Sequence, residues 1–91
     1  MDLHRLAEER SLAYHREVAT RLLADPALVD VARRRVSVWS KERRCHPHYL
    51  AQWATLLARP TAEIASALVD PSETGRALRQ STPFAGMLDA R

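Results

Sequence analysis

The chain has 91 residues, of which 46% are apolar, with two glycines and one cysteine. That is length for one small domain, covering residues 1–91, and its apolar content is too high for a disordered segment. No apolar run approaches the roughly 20 residues that span a bilayer, the first ten residues hold no secretory core, and a lone Cys45 excludes an internal disulfide. A protein of the reducing cytoplasm, without a membrane partner, is the expectation.

Abundant Ala, Leu, Arg and Glu with scarce Gly favour helix throughout. The first predicted helix runs over 2–24, with Asp2 as its cap and Pro26 beyond its end. Leu3, Leu6, Ala7, Ala13, Tyr14, Val18 and Leu22 share a broad face at helical spacing, and Leu12, Ala19 and Leu23 form a second stripe. A helix apolar on two sides is buried by its own core or by a partner. Asp25-Pro26 opens a second helix to about Arg43, with Leu28, Ala32, Val36 and Trp39 on one side and Arg35 intruding at its edge, its stem able to snorkel. The short corner between these helices predicts an N-terminal antiparallel helical hairpin.

Within residues 33–44, Arg33, Arg34, Arg35, Lys41, Arg43 and Arg44 stand against Glu42 alone, although the net charge of the whole chain is only +3. Such a strip is either a solvated helix face or a contact for nucleic acid or an acidic protein surface; Arg33, Arg34, Lys41, Arg43 and Arg44 are its candidates. The next helix starts at Pro47, a good first-turn residue, and runs to about Ala58, with Leu50, Trp53, Ala54 and Leu57 facing inward. A fourth helix follows Pro60-Thr61 to Leu68, with Thr61 as its cap. Asp70, Pro71 and Glu73 read as cap, first turn and capping-box partner of a fifth helix, which Pro83 ends near Gln80. The fold class is therefore all-α, a small bundle of five helices. After it, residues 82–91 carry the apolar segment Pro83-Phe84-Ala85-Gly86-Met87-Leu88, which either folds back as a lid or docks on another molecule.

Catalytic patterns are missing from the sequence. Cys45, His46 and His48 are ligand-type side chains, but their spacing follows no known metal rhythm and no second Cys exists. Glu8 and Glu9 point about 100° apart on a helix and make poor acid–base partners. Gly75 and Gly86 stand alone, so no phosphate loop is present. Neither enzymatic activity nor a cofactor is expected. Residues 61–80 do have the outline of a helix-turn-helix, with Ala65 small and Leu78 apolar where that motif needs them. Val69 replaces the usual turn glycine, however, and Gly75 stands where a branched side chain normally packs. Operator DNA, contacted by a helix-turn-helix transcriptional regulator that could act on its own promoter, is the alternative reading.

The tail block ALVDPSETGRALRQSTPFAGMLDAR resembles that of small helical bacterial antitoxins encoded beside nucleotidyltransferase-like toxins of the AbiEii type. RLAEERSLAYHREVATRLLADPALVDVARRRV and HPHYLAQWATLLARP are similar to the same group. The resemblance implies an antitoxin that neutralises its cognate toxin by direct binding over the active site, without turnover. Phe84, Met87 and Leu88, following Pro83, are then the expected anchors, and Arg76 and Arg79 the expected partners of acidic residues on the toxin. A self-associating dimer that buries the same tail remains the third reading.

Overall fold

A computed structural model describes residues 2–88. Five helices follow one another: α1 (Leu3–Ala24), α2 (Leu28–Glu42), α3 (Pro47–Leu57), α4 (Thr61–Leu68) and α5 (Glu73–Gln80). Among the described residues there is no strand, and no helix is long and apolar enough to cross a membrane.

Helix starts follow local chemistry where the predicted cap is free to act. The Asp2 carboxylate accepts from the Arg5 N–H at 3.1 Å, and Pro47 occupies the first turn of α3. The predicted caps at Asp25 and Thr61 are not used. The Asp25 carbonyl accepts from Leu28 N–H in a turn that precedes α2, and Pro60 takes the capping position of α4. The fifth helix also begins later than expected. Ser72, not Asp70, is its cap, with the Ser72 hydroxyl accepting from Gly75 N–H at 3.2 Å. Asp70 instead accepts from Ser72 N–H at 2.9 Å, a local turn that delays the helix by two residues.

The pairing of helices also differs from the expected hairpin. α1 lies mainly along α4, and α2 along α3, while α1 and α2 meet only sparsely. Only the C-terminal half of α1 enters the core, through His15, Val18, Ala19 and Leu22; Leu3, Ala7 and Leu23 are exposed. Val29, Ala32 and Val36 of α2, Trp53 and Leu57 of α3, and Ile64 and Leu68 of α4 complete the interior around Phe84. Burying a Trp and a Phe fully against these aliphatic side chains supplies several kcal/mol, a large share for a chain this short.

Candidate partner-binding site

Two surfaces were singled out by sequence, the tail and the basic strip, and the structure treats them differently. Residues 81–88 fold back as a cap. Phe84 is fully buried and meets Trp53 edge-on, with ring centroids 6.0 Å apart. The Tyr14 hydroxyl donates to Phe84 C=O at 2.6 Å and accepts from Met87 N–H at 3.0 Å. The Trp53 indole donates to the Ser81 hydroxyl at 3.2 Å. The Arg35 guanidinium donates to the carbonyls of Pro83 and Ala85. Side chains of α1 and α2 thus hold the cap by its backbone, and Trp53 of α3 holds it by the Ser81 hydroxyl and the phenyl ring.

His15 is the fourth tie. Its Nδ1 lies 2.7 Å from Ser11 C=O, and a carbonyl can only accept, so Nδ1 carries the proton. Nε2 is then an acceptor for the Thr82 hydroxyl at 2.9 Å, while Thr82 Oγ1 accepts from Phe84 N–H at 3.0 Å. Burial pushes the His15 pKa below its ordinary value; the Ser11 carbonyl opposes that, and the Arg79 charge adds to it.

This placement bears directly on the expected anchors. Pro83, Phe84 and Arg79 lie inside the chain's own fold, Met87 and Leu88 are half-buried against the core, and only Arg76 is exposed. The cap satisfies the greasy segment internally, so a partner could reach Phe84 only if residues 81–88 left the core. Residues 89–91 of the expected binding segment lie outside the described residues. Arg76 pairs with Glu8 at 3.6 Å. The Arg79 guanidinium donates to Leu68 C=O and, at 2.7 Å, to Asp70 C=O, bracing the α4–α5 turn. Burial draws the Arg79 pKa down, and the nearby Asp70 carboxylate opposes it.

That brace also alters the helix-turn-helix outline. Arg79, on the helix that such a motif would lay against bases, points inward. Gly75 is needed because the Asp70 carbonyl passes so close that any Cβ would overlap it. A glycine here serves a tight turn, not a recognition surface.

The basic strip is divided among separate tasks. Arg35 clasps the cap. Arg33 donates to Leu57 C=O from Nε at 2.9 Å and Nη2 at 2.6 Å, closing the C-terminus of α3, and meets Asp30 at 2.8 Å. Arg34 faces away, beside Val31, Val38 and Trp39. Lys41, Arg43 and Arg44 gather where α2 turns into α3, at the mouth of an open cleft of about 1280 Å³. Exposed Ala51 and Ala54 and half-buried Leu50 line its apolar floor, with the buried Val36 and Leu57 beneath them, and Cys45 and His46 also line it. Arg44 pairs with Glu42 at 2.9 Å, while Lys41 and Arg43 make no ion pair among the described residues.

His46 Nδ1 accepts from the His48 backbone N–H at 3.1 Å, which caps α3 and gives the His46 side chain a structural role. Among the described residues no three His, Cys, Asp or Glu side chains converge as a metal site. Sequence gave no warning of the roles of Tyr14, His15, Arg35 and Trp53. The available signal was chemical: each carries a polar tip on an otherwise apolar face, and such tips need buried partners. Comparison with known proteins found nothing similar: no family model, no curated protein and no solved structure matches the chain.

Proposed function

We propose that the chain is a stoichiometric binding protein, an antitoxin that neutralises a nucleotidyltransferase-like toxin by direct contact, and that the α2–α3 side rather than the tail makes that contact. The observation that carries this reading is the open apolar cleft with Lys41, Arg43 and Arg44 at its mouth. Apolar surface left concave and edged by one sign of charge suits a protein partner that brings the opposite sign. Enzymes that transfer nucleotides with metal ions gather carboxylates around the metal, and the basic rim would meet such a surface. The Arg76–Arg79 pair is less suited, because Arg79 is committed to the α4–α5 turn.

The test is co-expression with the product of the adjacent gene. A toxin whose growth arrest is relieved, and which co-purifies with the chain at fixed stoichiometry, supports the reading. Unrelieved arrest together with no complex overturns it. Retardation of the promoter fragment at low salt, with a steep salt dependence, would instead favour the regulator.

A further inference from the structure

We infer that the α2–α3 cleft takes an acidic amphipathic helix, a segment of the partner protein whose apolar edge rests on Leu50, Ala51 and Ala54 and whose carboxylates meet Lys41 and Arg43. The inference rests on the protein-binding reading and names the partner's chemistry. The cleft runs beside α3, which at 1.5 Å per residue is about 16 Å long, the length of about three helical turns. Its floor is aliphatic, and no Trp, Tyr or Phe lines it. Nucleic acid would find charge here but, as a ring, only His46, whose Nδ1 is held by the His48 N–H at the start of α3, and the aliphatic floor offers a base no flat face. A second copy of the chain would bring the same positive rim against itself. A helix with Leu-type residues at i, i+3, i+4 and i+7 and Glu or Asp beside them satisfies both floor and rim.

Arg43 supplies a second, independent observation. Its backbone has φ +55°, in the left-handed region, at the residue that ends α2. Gly takes that position most easily, and other residues hold it only with strain. The chain therefore gives up backbone stability at a helix end that lines the cleft, and puts a long cation there. Strain retained at a surface position points to a contact that requires the side chain.

The experiment uses the full chain and fluorescein-labelled probes followed by anisotropy. One probe is a helical peptide of about four turns with a leucine edge and glutamate flanks; a second has lysine flanks; a third is a short DNA duplex. The acidic peptide should bind at least about tenfold more tightly than the basic one and lose about tenfold in affinity to Ala54→Arg and to Lys41→Glu. Arg43→Gly should weaken binding while leaving the melting temperature equal or higher, a split that a merely structural role would not produce. No binding of the acidic peptide up to about 1 mM overturns the inference. So does equal binding of both peptides, tighter binding of the duplex, or a dimer whose formation Ala54→Arg abolishes. The two proposals fail separately. A toxin complex untouched by Ala54→Arg removes the cleft and leaves the neutralising role standing. A chain that ignores the toxin but selects the acidic peptide does the reverse.

Discussion

The C-terminal cap and the α2–α3 cleft are both apolar patches edged by arginine, and they end in opposite states. In the cap, arginine and apolar surface are consumed by the fold: Arg35 donates to two tail carbonyls, Tyr14 bridges two more backbone groups, and Phe84 fills the core. In the cleft, Lys41 and Arg43 reach solvent, and of the apolar lining Ala51 and Ala54 are exposed and Leu50 is half-buried. The difference is in backbone bonding. Residues 81–88 form no helix, so their peptide groups need side-chain partners, and finding them ties the segment down. The cleft lies between helices whose backbones are already satisfied, so nothing internal compels it to close.

The largest expected effect breaks the cap. Phe84→Ala removes a fully buried ring and should lower unfolding free energy by about 3–5 kcal/mol, enough to leave a domain of this size barely folded. Urea unfolding followed by circular dichroism measures it. A loss under about 1 kcal/mol would mean the tail leaves the core readily, and would return Phe84 and Met87 to the list of partner anchors.

Gly75→Ala comes next. In an ordinary helix interior this change stabilises by up to about 1 kcal/mol. Here the added methyl would overlap the Asp70 carbonyl, which is backbone and cannot simply rotate aside. The sign should invert, to a loss of about 1–3 kcal/mol, read from the same denaturant curves. A stabilised variant would show that the α4–α5 turn is looser than its bracing by Arg79 implies.

What sequence could and could not disclose follows from range. Pro47 and Asp2 act on residues within a turn of themselves, so the starts of α1 and α3 are legible. The start of α5 is not, because Asp70 and Ser72 are both competent caps and the choice falls to how closely the Asp70 carbonyl approaches Gly75. The pairing of α1 with α4 is equally hidden, since an apolar face states that it must be covered but not by what. The same limit explains the tail: Phe84 is legible as a residue to bury, and its place against Trp53 is not. The cleft had one legible sign, the run of cations beside the Cys45-His46-Pro47 break. That Arg33 and Arg35 would turn to carbonyls far along the chain, leaving Lys41, Arg43 and Arg44 to the rim, depends on tertiary distance alone.

Tyr14→Phe sharpens the comparison without opening a cavity. It deletes one hydroxyl and leaves Phe84 C=O and Met87 N–H without that partner, for a loss of about 1–2 kcal/mol. Hydrogen exchange should quicken at Met87 while α2 and α3 are unchanged. Unaltered exchange at Met87 would show that the cap holds by its phenyl ring alone.

His15 gives the cap a dependence on pH, and its sign can be worked out. The folded pKa lies below the ordinary value of about 6.5 because burial disfavours the charged ring and the Arg79 charge adds to that, with the Ser11 carbonyl opposing. Below about pH 6.5 the unfolded chain takes up a proton that the folded chain refuses, so stability falls on acidification until the lowered folded pKa is reached. Protonation would put a hydrogen on Nε2, facing a hydroxyl oxygen that already accepts from Phe84 N–H. His15→Gln should be less stable at neutral pH but show a flatter decline as the pH falls below about 6.5. Parallel curves for the two proteins would free His15 of any part in the acid response.

The smallest effect is expected in the cleft, and its smallness is the point. Lys41→Glu and Ala54→Arg alter side chains that reach solvent, satisfy no buried group and leave no cavity, so unfolding free energy should move by less than about 0.5 kcal/mol. Lys41→Glu even places an acid two residues from Arg43, where it relieves like-charge repulsion on the rim. A surface that tolerates charge reversal and added bulk in stability, while losing its acidic probe, is one the fold does not use for itself. If those same changes cost as much as Tyr14→Phe, the floor is part of the core and the cleft is only a shallow fault in the packing of α2 on α3. Equal sensitivity would erase the distinction between the closed patch and the open one, and the site would have to be sought elsewhere on the molecule.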